Sequence, residues 1–176
     1  MSRPEDLPTP TTLSLAGACP GVQGCAGPST ASGCPGLWLD GLAPGLFVVT
    51  STHRDTPVGL LLRTLAPIDP VAGVFSFSLS GFSYAWPALE KAPHIGVHAL
   101  DPARTDDAAL ADTFARTSVD GFAPDVTWTP GRDGVPLLET AARRAVARPT
   151  QRIHVGTHVV VVAQIVEIPH PVGVAA

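Results

Sequence analysis

The sequence predicts a mainly β domain with one or two short helices, and three observations lead there. Proline and glycine are abundant, 19 and 17 of 176 residues, so long helices are hard to place and short strands with turns are favoured. The stretch AGVFSFSL (72–79) alternates apolar and small polar residues at period two, and THVVVVAQIVEI (157–168) is a dense β-branched run. GLFVVTST (45–52) and VGLLL (58–62) flank HRDTP, whose Asp and Pro suit a tight turn, so the pair reads as a hairpin.

Composition sets the outer bounds. One domain of this length can bury a sizeable core, and 45 % hydrophobic against 15 % charged residues describes a globular chain. The net charge is −4 with 11 Lys+Arg and no basic stripe, which excludes nucleic acid as an expected partner. No run reaches the roughly 18 apolar residues of a membrane span; the densest, HVVVVAQIV, is short and reads as a buried strand. Arg3 is followed by Glu5, Asp6 and prolines, which is not a signal-peptide pattern, so a cytoplasmic location is expected.

Residues 1–36 are rich in Pro, Thr, Ser, Gly and Ala and read as a flexible arm ahead of a domain spanning 37–170. The arm holds Cys19, Cys25 and Cys34, whose spacing fits no zinc or iron–sulfur pattern. LWLDGL (37–42) suggests a short amphipathic turn, and the hairpin of 45–62 follows. The central unit, 72–100, reads as strand, polar loop, a helix opened by Pro87 with Ser83 as its cap, and a second strand. A loop feeding a helix start offers amides and hydroxyls to a phosphate-bearing ligand.

DPARTDDAALADTFART (101–117) carries helix signals: Thr105 as cap, Asp106 and Asp107 in the first turn, Leu110 and Phe114 on one face, and an Asp112–Arg116 pair. DGFAPDVTWTPGRDGVPLLE (120–139) reads as a loop anchored by Trp128, a Pro-Gly turn at 130–131 and a strand entering at Val135. TAARRAVAR (140–148) favours helix by propensity, yet its place among strands predicts a strand. The end of the chain, PVGVAA (171–176), reads as a loose tail.

The common catalytic signatures are absent: there is no G-x-G-x-x-G, Walker loop, G-x-S-x-G or Cys-x-x-Cys. His154 and His158 form H-x-x-x-H, but the Val155-Gly156 turn and the valine run deny it the helical geometry of a metal site. His94 and His98 share a predicted strand face about 13 Å apart, too far for one ion, and read as packed or edge histidines. No metal is expected.

Against this background, residues 44–168 resemble the flavin reductase-like family, the split β-barrels that bind flavin mononucleotide (FMN). The likeness is densest in 77–100, with its serine loop, Trp-Pro-Ala-Leu helix start and F-x-V-x-V-L-type strand. It continues in 124–138, which is similar to W-x-P-G-x-x-G-x-P-x-L, and in 152–158, which is similar to R-x-D-x-G-D-H. The resemblance implies a split β-barrel with one or two short helices at its rim. It also implies a homodimer with the flavin at its interface, FMN or possibly FAD as the flavin, and NADH or NADPH as co-substrate.

By residue, the resemblance places Ser80, Gly81 and Ser83 at the phosphate and Trp86 beside the ligand, although a tryptophan at a helix start is more often simply core. It places His158 where the nicotinamide approaches, as the catalytic candidate. Departures are also visible. Gly81-Phe82-Ser83 stands where relatives carry Arg-Ser-Ser, and Thr157 stands where they carry Asp. LLLRTLAPI (60–68) is about two residues shorter than the family's stretch along the flavin ring, leaving Arg63 and Thr64 as its polar side chains. Arg63 is either an anion ligand or a surface arginine. Two functions follow: a reductase that supplies reduced flavin to a partner monooxygenase, or a barrel that has lost productive flavin binding and serves in binding or assembly. An unrelated all-β ligand-binding module is a third, which would make the likeness accidental.

Overall fold

The computed structural model describes residues 38–39, 42, 45–116, 122 and 125–169. The 1–36 arm with its cysteines and the 171–176 tail lie outside them. The strands are β1 (Leu46–His53), β2 (Thr56–Leu62), β3 (Ala66–Asp69), β4 (Val74–Ser80), β5 (Ile95–Leu100), β6 (Trp128–Pro130), β7 (Pro136–Leu138), β8 (Arg143–Val155) and β9 (His158–Glu167). Helix α1 (Trp86–Lys91) lies between β4 and β5, and α2 (Thr105–Arg116) follows β5. Seven strands form one antiparallel sheet in the order β2-β1-β5-β8-β9-β4-β3, and β6 pairs with β7 apart from it. Hydrogen bonding does not close the barrel: β2 and β3 remain its two edges.

Local chemistry explains most of this. The β1–β2 turn tightens to Arg54 and Asp55, both at positive φ (49° and 64°), the backbone hand that matches strand twist in a two-residue hairpin. Edge strand β3 is fully exposed and carries Pro67, which an edge tolerates. It turns into β4 through the Asp69 carboxylate, which accepts the Ala72 N–H at 3.1 Å. On β4 the period-two pattern holds: Phe75, Phe77 and Leu79 are buried, while Ser76, Ser78 and Ser80 face outward. β5 departs from alternation because both its faces are covered, by the larger core on one side and by β7 and α2 on the other, and all six of its residues are buried. The segment after Thr140 is strand from Arg143 onward. Ala145, Val146 and Ala147 are buried there, between β5 and β9, which outweighs their helical propensity.

Three expectations are corrected in detail. Helix α2 starts at Thr105 itself, and the Arg104 carbonyl takes the Ala108 N–H at 3.0 Å, so Thr105 is inside the helix and not its cap. Ser83 caps the turn before α1: its hydroxyl accepts the Ala85 N–H at 3.3 Å, and the cap position of the helix is Ala85. Trp128 is not a buried anchor; it is 37 % exposed and meets Phe122 edge-on at 6.2 Å.

The core has two parts. The larger gathers Phe47, Phe75, Phe77, Leu89, Ile95 and Val161 inside the barrel, joined by buried Trp38 and Leu39. The smaller lies between α2 and β1, around Val48, Leu110, Phe114 and Leu138. Its keystone is Asp107, fully buried in the first turn of α2, whose two oxygens accept the N–H groups of Asp101 (2.9 Å) and Ala142 (3.1 Å). Asp107→Asn puts an amide N–H against one of those donors. The expected cost is about 2 kcal/mol of stability, read as a lower urea midpoint at unchanged slope. A midpoint equal to wild type would show that the carboxylate is not holding the two chain segments.

Candidate functional site

The serine loop and the tip of the β8–β9 hairpin meet at one corner of the sheet. Ser80 lies opposite His158 in the β4–β9 register, and the Gly81 N–H donates to the Thr157 carbonyl at 2.8 Å, extending the ladder into the loop. Gly156, at φ 58°, makes the hairpin turn. The loop is then wound tightly on itself. Phe82 N–H donates to Ser80 Oγ (3.2 Å), Ser83 N–H to the Ser80 carbonyl (3.0 Å) and Trp86 N–H to the Ser83 carbonyl (3.0 Å). The Tyr84 hydroxyl donates to the Gly59 carbonyl, tying the loop to β2, and burial raises its pKa.

Ser80, Gly81 and Ser83 therefore lie in one loop beside the hairpin tip that carries His158, and Trp86 follows at the start of α1. Arg63 and Thr64 are not part of this cluster of contacts. They lie exposed in the β2–β3 connection and make no hydrogen bond or ion pair among the described residues. His158 is exposed at the start of β9, with its Nδ1 3.2 Å from the Thr157 hydroxyl, which can orient the ring.

The donors left for an anion differ from a bare amide nest. The N–H groups of Gly81, Phe82, Ser83, Ala85 and Trp86 are all used inside the protein. Ser80 and Ser83 accept through Oγ, which leaves each hydroxyl proton to donate. Two hydroxyls without an arginine make a weak phosphate site, since charge-assisted contacts are about twice as strong as neutral ones.

Two neighbours of the site carry signals the sequence reading did not use. His154 meets Trp86 edge-on at 5.6 Å, so the tryptophan packs on the hairpin as well as on the core. Arg152 reaches from β8 to the end of α1, donating to the carbonyls of Leu89 (3.1 Å) and Ala92 (2.8 Å). Burial lowers its pKa while Glu90 pulls it back up. The leading R of R-x-D-x-G-D-H marks this position in the sequence.

His94 and His98 are structural. His94 pairs with Asp133 at 2.7 Å, tying the 3-10 turn Arg132–Gly134 to the start of β5. His98 is fully buried and bonded on both ring nitrogens. No group of three or more metal-ligating side chains exists among the described residues. None of their helices is long and apolar enough to cross a membrane.

Comparison with known proteins decides the family. The model of the flavin reductase like domain matches residues 39–175. The chain belongs to that family. Among curated proteins it is 26 % identical over 133 residues to the FMN reductase (NADH) SmoA of Agrobacterium fabrum, covering 75 % of this chain and 73 % of SmoA. It is 28 % identical over 95 residues to HsaB of Mycobacterium tuberculosis, the reductase subunit of a flavin-dependent monooxygenase. That match spans 54 % of this chain and about half (49 %) of HsaB. Among solved structures, a flavin reductase domain protein from Arthrobacter sp. FB24 superposes with a TM-score of 0.63 at 32 % identity, covering 70 % of this chain and 75 % of that one.

Proposed function

We propose that this protein reduces FMN with NADH or NADPH, and that the reduced flavin leaves for a partner monooxygenase. The observation that carries the reading is the family match over 39–175, together with the serine loop and His158 gathered at one corner of the sheet. Flavin and nicotinamide supply the hydride chemistry when bound; the protein holds, aligns and shields them. Ser80 and Ser83 would hold the phosphate through their hydroxyl protons, Trp86 would border the ring, and His158 would face the nicotinamide. The two-hydroxyl phosphate site suits a flavin that is exchanged as a substrate, with FAD an alternative to FMN.

A homodimer is part of the same proposal. Ile153 and Val155, 46 % and 57 % exposed, lie opposite Val160 and His158 and extend the outer face of β9 into an apolar strip beside the site. A second copy covering that strip would shield a flavin bound there.

The test is an FMN titration of the purified protein, followed by NADH and NADPH oxidation at fixed flavin. Saturable binding with turnover is expected. Ser83→Ala should weaken FMN binding severalfold by removing one hydroxyl donor, and His158→Ala should lower kcat more than KM. Absence of binding at high micromolar FMN, with no turnover, would overturn the reductase and leave a barrel with a binding or assembly role.

A further inference from the structure

Helix α1 is only six residues long and lacks a glycine stop: Ala92 leaves it in an extended conformation (φ −62°, ψ 124°). Its last carbonyls are instead capped from another element, by the Arg152 guanidinium on Leu89 and Ala92. A cation at the helix C-terminus also meets the negative end of the helix dipole. Two residues further along β8, on the same face of the strand, His154 packs against Trp86, the first residue of α1. β8 thus grips both ends of α1. The hairpin it leads into binds the serine loop through the Gly81–Thr157 hydrogen bond. Loop, helix, strand and hairpin tip form a closed circuit, and Arg152 supplies the charged link in it.

We infer that Arg152 is a positioning residue for the flavin site, fixing helix α1 and its serine loop against the hairpin tip that carries His158. The inference rests on the flavin reductase reading for its kinetic consequence and on geometry alone for its mechanical one. The hydrogen bonds of the Arg152 guanidinium go to Leu89 and Ala92, so it acts through the backbone of α1. Its removal is expected to blur the placement of Ser80 and Ser83 while leaving the exposed imidazole in place, so flavin affinity should suffer more than the chemical step.

The experiment compares the full chain carrying Arg152→Met or Arg152→Lys with wild type. Methionine keeps the packed stem without donors, and lysine keeps the charge but reaches one carbonyl at a time. In Arg152→Met, KM for FMN should rise about tenfold with kcat within about twofold, and Arg152→Lys should recover roughly half of that on a logarithmic scale. Hydrogen exchange of the 81–92 segment should quicken about tenfold in Arg152→Met while β1 and β5 stay at wild-type rates. Unchanged exchange in 81–92 would overturn the inference whatever the activity. Equal loss in KM for both substrates, or a global quickening of exchange in Arg152→Met and Arg152→Lys alike, would overturn it too by reducing Arg152 to a stability role. A wild-type protein that turns over no flavin, with localised exchange in Arg152→Met, would overturn the reductase reading and the kinetic half of the inference but uphold the clamp.

Discussion

Gly96→Ala is expected to be among the most damaging single-methyl additions in this fold. Gly96 lies in β5 opposite Thr50 of β1 and Val146 of β8, with β7 crossing over it. A β-carbon there would sit 2.9 Å from the Pro136 carbonyl oxygen and 2.9 Å from His98 Cε1, and closer still to Thr50 Oγ1. Two of these neighbours cannot yield cheaply. The Thr50 hydroxyl donates to that same Pro136 carbonyl at 2.6 Å, so the methyl must break a buried hydrogen bond as well as displace backbone. Overpacking costs about 1–3 kcal/mol and loss of the bond about 1 more, so a destabilisation of about 3 kcal/mol is expected. For a chain of this size that lowers Tm by roughly 10 °C. Gly59→Ala offers a comparison: its β-carbon would press on the buried Phe114 ring of the smaller core and on no backbone atom, so a loss by side-chain displacement alone is expected. A Gly96→Ala protein melting within 2 °C of wild type would show that β7 is free to lift off the sheet.

The sequence carried the hairpin of β1 and β2, the period-two β4 and the β-branched β9 because each states its own partner or face locally. What it carried less well depends on contacts distant in the chain. Trp128 looks like an anchor by residue type, yet only the placement of Phe122 and the short β6–β7 pair decides that it stays half-exposed. Thr105 has the right chemistry for a cap, but Asp107, bonded to the amides of Asp101 and Ala142, sets where α2 begins. At the site, the register of β4 against β9 places Ser80 beside His158, and that register follows from burying the odd-numbered residues of both strands. The hold of Arg152 on α1 spans about sixty residues and has no local signature. Its position in R-x-D-x-G-D-H was the available clue.

The serine loop shows a similar limit. Its residue types suggest an anion nest, whereas five of its amides are already spent, four on Ser80 and Ser83 of the loop itself and that of Gly81 on the Thr157 carbonyl of the hairpin tip. On the function proposed above, a loop with two spare hydroxyl protons and no arginine would place a phosphate more than retain it, which suits a protein that hands its reduced flavin to another.

His98 is expected to make the fold sensitive to acid. It is fully buried between β1 and β7. Nδ1 lies 3.0 Å from the Val48 carbonyl and must donate to it, so Nε2 is bare and accepts the Leu138 N–H at 3.0 Å. Protonation would turn N–H against N–H at Leu138. Burial lowers its pKa from 6.5 to about 4, with the Val48 hydrogen bond opposing and the nearby Arg144 charge assisting. The sign follows from proton binding. Between those two values the unfolded chain holds a proton on His98 that the folded chain refuses, so stability rises with pH across the window. The contribution is fully present above pH 6.5 and is lost as the pH falls towards 4, about 3 kcal/mol in all at roughly 1.4 kcal/mol per pH unit. Urea unfolding at pH 7.5 and 4.5 should show that loss in wild type and a much smaller one in His98→Leu, which starts less stable because Val48 and Leu138 lose their partner. The ring signals of His98 in a nuclear magnetic resonance titration should stay neutral through pH 5.5; titration near 6.5 would mean that the buried bridge between β1 and β7 opens in solution.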